Sequence, residues 1–355
     1  MSSPCDEYDP ISEHFTMTRE RLCDILERIK ETAVAVIGDF CLDAYWQLDT
    51  GTPELSLETD KLTQAVTTQH YSLGGAGNVA QNLVDLGIGA VYACGVYGDD
   101  LFGREMIRLL EQRGVNVKGV ICQCMEWETP VFAKPYLKNA EQNRVDFGRF
   151  NRITADSEQS LLRSLTSLLR RVDGVIVNQQ LEQGIHSKNI IHSLNALAAD
   201  HSSKVFVLDS RAKGDAFQHM IWKLNASEAA RVLANQKTHG EPLSPTVLKD
   251  AARLIAARTG KPVFITLGAR GILVSDGTSF CELPGISIDG EIDTVGAGDT
   301  SVSAIAAALA AGATPEEAAA LANLAAAVTV RKLRQTGTAT PHEILDIALP
   351  TKTIA

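Results

Sequence analysis

Asp293-Thr294-Val295-Gly296-Ala297-Gly298-Asp299-Thr300 is followed by a run of small, helix-forming residues (301–311, SVSAIAAALAA) that Gly312 closes. Gly296, Ala297 and Gly298 carry no bulky side chain to shield their amides. A helix starting here aims unpaired N–H groups and the positive end of its dipole at whatever lies before it. Such an end favours an anion, phosphate above all, and a carboxylate beside it needs a reason. Asp299 either caps the helix, as Asp does well, or acts as general base for a hydroxyl attacking a phosphoryl group.

Outward from this stretch, apolar β-like runs at 34–37, 91–96, 175–177, 205–208 and 263–267 alternate with helix-period segments at 78–86, 102–113, 157–171, 188–199, 226–234 and 246–258. This alternation predicts an α/β fold: a doubly wound, mainly parallel sheet with helices on both faces and ligands at the strands' carboxyl ends. A leading helix is expected over 18–30, after a loose arm at 1–17, with the main domain running over 18–350. Two segments, about 52–72 and 119–150, are rich in β-branched and aromatic residues and lack a helix. They predict a small antiparallel flap able to cover a ligand. Thr314-Pro315-Glu316-Glu317 is a capping-box start for a helix running to about 333.

A chain of 355 residues with 45% hydrophobic content can bury a large core. A net charge of −10 without a dense Lys/Arg block argues against nucleic acid or an anionic membrane as the main partner. No run is long enough to span a bilayer, and residues 1–30 lack a signal-peptide core, so a cytoplasmic enzyme acting on small molecules is expected. The seven cysteines (5, 23, 41, 94, 122, 124 and 281) include no CxxC pair and read as reduced structural thiols. Cys122 and Cys124, two apart, would share one face of a strand.

Each remaining motif has two readings. Gly75, Gly77 and Ala80 fit the dinucleotide pattern GxGxxA, with Asp99 placed as a ribose ligand, which would make an NAD(P)-dependent oxidoreductase. The same glycines permit close approach to a polyol that Asn78 can hydrogen-bond. Asp39 and Asp43, after the first strand, are sugar ligands or surface-turn residues, and Asp39, at the strand's carboxyl end, ranks ahead of Asp43 as a ligand. Asn225 and Glu228 form a capping box or face phosphates. Thr266, Gly268 and Gly271 make a hairpin or a nucleotide turn, where Arg270 could add charge. Asn323 faces solvent or a ligand, while Asn139, Arg144 and Asp146 lie on the flap, where Arg144 is either ordinary strand-edge charge or a ligand for a second phosphate or sugar hydroxyls. No Walker A, HRD, DFG, GxSxG or HExxH string is present.

Taken in order from about 33 to 345, GDFCLDAYW (38–46), GGAGNVAQNLVDLG (74–87), NASE (225–228), TLGARG (266–271) and DTVGAGD (293–299) resemble the PfkB, or ribokinase-like, family of carbohydrate kinases. The likeness is strongest to its heptose-phosphate kinase branch. The resemblance implies Asp299 as catalytic base with the amides of Gly296, Ala297 and Gly298 as an oxyanion hole. It implies substrate contacts at Asp39, Asp43, Gly74, Gly75, Asn78 and Arg144. ATP contacts follow at Thr266, Gly268, Arg270, Gly271 and Asn323, and Asn225 and Glu228 fall near Mg²⁺. It also implies a flap that acts as lid and homodimer contact, and K⁺ beside Asp293 and the Val295 carbonyl.

The branch's S-D-Y-x-K-G segment is replaced here by Asn178-Gln179-Gln180-Leu181-Glu182-Gln183-Gly184. Its D-P-K-G becomes Asp209-Ser210-Arg211-Ala212-Lys213-Gly214. Losing those cations weakens the expectation of a phosphorylated heptose and admits an unphosphorylated sugar or another sugar phosphate. The chain is also expected to lack the nucleotidyltransferase half of bifunctional heptose enzymes. A sugar sensor without catalysis is the remaining alternative, which the retained Asp299 and glycine hole weigh against.

Overall fold

Val34 and Val36 of the first strand pack into one hydrophobic core, and Ala35 and Ile37 into a second on the opposite face. That alternation, on a strand buried on both sides, is what a sheet sandwiched between helix layers requires. The computed structural model describes residues 17–51, 53–138, 140–234, 244–333 and 336–348; the expected arm, apart from Met17, and Asn139 lie outside the described residues.

The strands are β1 (Ala33–Gly38), β2 (Phe40–Leu48), β3 (Val66–Gly75), β4 (Ala90–Gly98), β5 (Asn116–Gln123), β6 (Val131–Leu137), β7 (Ala140–Glu141) and β8 (Val145–Phe147). They continue as β9 (Gly174–Gln179), β10 (Val205–Ser210), β11 (Ile221–Asn225), β12 (Val263–Thr266), β13 (Gly271–Ser275) and β14 (Phe280–Pro284). The helices are α1 (Arg19–Ile29), α2 (Ala76–Asp85), α3 (Leu101–Gln112), α4 (Ala155–Leu168) and α5 (Lys188–Asp200). After them come α6 (Ala226–Ala234), α7 (Pro245–Thr259), α8 (Ala297–Ala310), α9 (Pro315–Thr329) and α10 (Pro341–Ala348).

Nine strands form one sheet in the order β14-β13-β12-β11-β10-β9-β1-β4-β5. It is parallel from β12 to β5, with β13 and β14 added antiparallel. Residues of α1, α2, α8, α9 and α10 fill one core and those of α4, α5, α6 and α7 the other, so the doubly wound arrangement holds. Side chains of Thr18, Asp100, Thr154, Ser187, Ser244 and Thr314 each accept an amide in the first turn of the helix they precede. Helix α8 is apolar all round and sits buried against α9 and α2, where its alanines permit close approach.

A second sheet runs β3-β2-β6-β7, with β8 beside β6. Its boundaries differ from those the sequence predicts. β2 belongs to it, so the flap begins at Phe40, and β3 carries it on to Gly75. Residues 119–123 belong instead to β5, the edge of the large sheet, because they continue its parallel register with β4. The flap is mixed rather than antiparallel, since β2 and β6 pair in parallel from Leu42↔Val131 to Gln47↔Tyr136. Helix α9 ends at Thr329, short of 333. Among the described residues no helix is long and apolar enough to cross a membrane.

Candidate functional site

Helix α8 begins at Ala297, with Gly296 as its N-cap at φ 83°, a left-handed conformation that favours glycine. Asp299 is therefore the third helical residue and not the cap, which removes the simplest structural role for it. The Ala297 amide is taken by the Thr294 carbonyl (3.2 Å), whereas no backbone acceptor meets those of Gly298 and Asp299 among the described residues. Of the three amides the sequence singles out, that of Ala297 is engaged within the turn.

Asp299 accepts a 2.7 Å hydrogen bond from Asn78 Nδ2. Asn78 is fully buried, and this bond fixes it against the Asp299 carboxylate. Thr300 Oγ1 donates to Asn82 (2.7 Å) and Ser303 Oγ to the Val79 carbonyl (3.0 Å), locking α8 against α2. Asp299 keeps an opening to the cleft yet is ringed by protein. Burial, and then the charge of Asp209, push its carboxyl up to about 6, against the opposing pull of Asn78, Lys223 and Arg211.

Asp209 and Lys223 come from neighbouring strands in direct register, and Asn178 lies opposite Asp209 on the other side. The Lys223 Nζ to Asp209 Oδ2 distance is 3.4 Å and both residues are buried. A Cβ on Gly298 would stand 3.2 Å from Lys223 Nζ, so this cation sits directly under the free amides of α8. Neither Asp209 nor Lys223 is predicted as a site residue. The available signal is a lysine inside the apolar run Ile221-Trp222-Lys223-Leu224, since an unpaired buried lysine is costly.

Asp39 and Asp43 exchange the ranks the sequence suggests. Asp39 Oδ2 accepts the amides of Gln180 and Leu181 (both 2.8 Å) and Oδ1 that of Ile185 (2.9 Å), while Gly184 leaves no room for a Cβ beside the same carboxylate. Burial alone would raise this carboxyl; His186 and the amides outweigh it and hold it below the usual range. Three amides of the 180–185 loop engage its oxygens, so it clamps that loop. Gln179 continues the clamp, accepting Ser210 Oγ (2.7 Å) and the amides of Ala212 and Lys213 (both 3.0 Å). Lys213 in turn donates to the His186 carbonyl (2.9 Å). The departures from the heptose-kinase pattern at 178–184 and 209–214 therefore knit two loops together through Gln179 and Lys213.

Asp43, on β2, lies 3.1 Å from Lys134 Nζ of β6 and next to Gly74, where a Cβ would meet its carboxyl at 3.4 Å. Burial pushes it up, in spite of Lys134, Arg144 and Arg211, whose charges all reach it. Arg144 holds Asp146 through two bonds (2.6 and 2.9 Å) and stacks over Phe132. Arg211 is exposed after β10, and its charge reaches both Asp43 and Asp299. Gly75 is the N-cap of α2 at φ 53°, its Cα packed against the Asp39 carbonyl.

The dinucleotide reading fails on this geometry. The strand before Gly75 and Gly77 is antiparallel β3 of the small sheet, not the first strand of a βαβ unit, and Asp99 is exposed and paired with Arg104.

On the other side of α8 a cavity of about 450 Å³ is lined by Thr266, Gly268, Gly271, Ala297, Gly298 and Asn323, among others. Asn323 is buried and donates to the carbonyls of Leu283 and Pro284 (3.2 and 3.1 Å), so it does not face solvent. Arg270 pairs with Glu282 (2.8 Å) and is absent from the lining. Asn225 and Glu228 form a reciprocal capping box, the Glu228 carboxylate accepting Asn225 N–H (2.8 Å) and Asn225 Oδ1 accepting Glu228 N–H (2.9 Å). Burial, and the nearby charge of Asp209, push Glu228 up. Asp293 Oδ1 accepts the Val295 amide (3.0 Å), shaping the loop that leads into α8.

The profile described as pfkB family carbohydrate kinase matches residues 32–343. The bifunctional protein HldE of Helicobacter pylori is 29% identical over 307 residues, covering 84% of this chain and 63% of the relative. That of Pelobacter propionicus is 30% identical over 342 residues, covering 93% and 66%. The chain thus spans slightly less than two thirds of these curated relatives. In fold it is similar to phosphofructokinase-2 from Escherichia coli in complex with potassium, with a TM-score of 0.70, 19% identity and coverage of 89% and 98%. Ribokinase from Thermotoga maritima gives 0.66, 20% identity and coverage of 89% and 99%. With the match extending over most of its length, this chain belongs to the pfkB family of carbohydrate kinases.

Proposed function

We propose that this kinase transfers the γ-phosphoryl group of ATP to a hydroxyl of a negatively charged sugar, such as a sugar phosphate, with Asp299 as general base. The observation that carries the proposal is the Asp299 carboxylate at the head of α8, oriented by Asn78 and raised to about 6. A carboxylate of that basicity is ionised at neutral pH and still able to take a proton. As the acceptor hydroxyl loses its proton to Asp299, its oxygen bonds to the γ-phosphorus and the bond to the β,γ-bridging oxygen breaks, leaving ADP. The amides of Gly298 and Asp299 and the Lys223 ammonium face the place where charge develops.

The cavity between Thr266 and Asn323 is of a size that suits an adenosine, and its glycine-lined mouth opens onto the start of α8. Among the described residues no cluster of three or more His, Cys, Asp or Glu could hold a metal. Such a site fits Mg²⁺ carried on nucleotide oxygens and water, with Glu228 and Asn225 nearby, since Mg²⁺ keeps much of its water shell. When bound, Mg²⁺ would neutralise phosphate charge. K⁺ beside Asp293 and the Val295 carbonyl belongs to the same proposal, supported by likeness in fold to a chain solved with potassium.

On the acceptor side Lys134, Arg144 and Arg211 gather around Asp43, which supports an acceptor with a negative group. The small sheet is the proposed lid over it. Leu57 (100% exposed) and Leu62 (67%), in the segment that joins β2 to β3, support a homodimer through the lid. Asp299→Asn should lower kcat by about 10²–10⁴-fold while ATP binding, read by calorimetry, persists. Folded Asp299 is raised, so its favourable contribution to stability exists below its unfolded pKa and is lost as pH rises through about 6. The Asn variant should therefore unfold no more easily than the parent at pH 8. Unimpaired turnover by this variant would refute the mechanism.

A further inference from the structure

Six cysteines are described, and two of them, Cys122 and Cys124, are exposed. Between them Gln123 is buried, its Nε2 donating to the carbonyls of Met125 (2.7 Å) and Arg152 (2.8 Å) and its Oε1 accepting the Thr154 amide (3.1 Å). With Gln123 fixed inward, strand alternation turns Cys122 and Cys124 outward on one face. Cys122 stands opposite Tyr97 of β4, one pair before the register ends, and its thiol is within interaction reach of both the Tyr97 hydroxyl and the Cys124 thiol. Extended residues i and i+2 lie about 6.5 Å apart, near the upper end of the roughly 4.4–6.8 Å Cα separation that a disulfide spans, and Cys124 lies just past the end of β5, where a bend can bring its Cβ to the roughly 4 Å that the bridge requires. The pair sits where the chain leaves the edge of the large sheet for the lid, six residues before β6 opens at Val131.

We propose that Cys122 and Cys124 form a vicinal dithiol site that reacts with low-molecular-weight disulfides and closes into an intrachain disulfide. Burial first, and the neighbouring thiol also, push the Cys122 thiol up, while Tyr97 opposes them. Cys124, just past the end of β5, is the first thiol to react, and Cys122, paired within the strand, is the second. Cys124 thiolate attacks one sulfur of the small disulfide, forming a mixed disulfide and expelling one thiolate. Cys122 then gives its proton to solvent and attacks the Cys124 sulfur, which expels the second thiolate. The protein loses two electrons and two protons, and the small disulfide is reduced to two thiols.

The test is exposure of the reduced full chain to oxidised glutathione, followed by intact-mass and peptide mapping. The wild type should converge on a species about 2 Da lighter whose 122–124 peptide contains the bridge, restored by dithiothreitol. Cys122→Ser should stop at a glutathionyl adduct on Cys124, and that adduct should persist at least tenfold longer than in the wild type. Separate stable adducts on Cys122 and Cys124 in the wild type, or free alkylation of both after treatment, would overturn the proposal. Both side chains are exposed, so the serine variants are expected to fold, and a circular-dichroism melt of each checks this.

Discussion

On the side proposed for the nucleotide, between Thr266 and Val330, the cleft is lined by glycine turns, helix-terminal amides and alanines. On the acceptor side, around Asp43, it is lined by side-chain charges carried on the strands of the small sheet and the loop after β10. Backbone makes the same contacts whatever the neighbouring residues are, so the first kind of surface constrains a reaction. Side chains on a lid can be exchanged one at a time, so the second kind sets which molecule reacts. The difference teaches where to look for chemistry and where for selectivity.

The sharpest way to break this division is at Lys223, the charged side chain buried beneath the amides of α8. Lys223→Met should lower kcat by about 10²-fold. It should also cost roughly 3 kcal/mol in denaturant unfolding, because Asp209 is left as an uncompensated buried charge. Adding Asp209→Asn should recover most of the stability and none of the rate. A smaller effect is expected from Arg211→Ala: the KM for an anionic acceptor should rise about 10–30-fold, with the KM for ATP within twofold, in steady-state assays. Equal rises in both constants would erase the distinction between the two sides.

The pH profile sharpens it further. As the proposed base, Asp299 would act only as carboxylate, so kcat/KM should follow an acid limb with a midpoint near 6 and be about tenfold below its plateau at pH 5. Asp39→Asn should leave the kinetic constants within about threefold and cost roughly 1–3 kcal/mol, since an amide oxygen replaces a charged acceptor. Folded Asp39 is held below the usual range. Its stabilisation is therefore present above the unfolded pKa and lost as pH falls through the lower folded value. The cost of the substitution should shrink in strongly acidic melts.

The same division explains what could be read from the residues alone. DTVGAGD and TLGARG place backbone, and backbone geometry follows from local glycines, so α8 and its cavity were legible in the sequence. The parallel strands β1, β4, β9, β10 and β12 announced themselves as apolar runs, whereas β11 and most of β5 did not. β2 did not, because Asp43 and Gln47 interrupt it and its partner β6 lies some ninety residues away. Asp209 and Lys223 meet through the register of β10 and β11, which no local pattern encodes. Asp39 outranked Asp43 on position after β1 alone; the loop that engages it arrives from residues 180–185, far along the chain.

That clamp has a consequence for how the molecule is made. β1 pairs with β4 on one side and with β9 on the other, so the first half of the sheet can form while the ribosome is still translating. The Asp39 carboxylate has no amide partners until residues 180–185 emerge, and contacts so distant in sequence are slow to close. A nascent chain stalled before that point holds an unsatisfied carboxylate at the edge of its half-built sheet. The acceptor side of the cleft is therefore completed late in synthesis, in a window when chaperones have an exposed strand edge to bind.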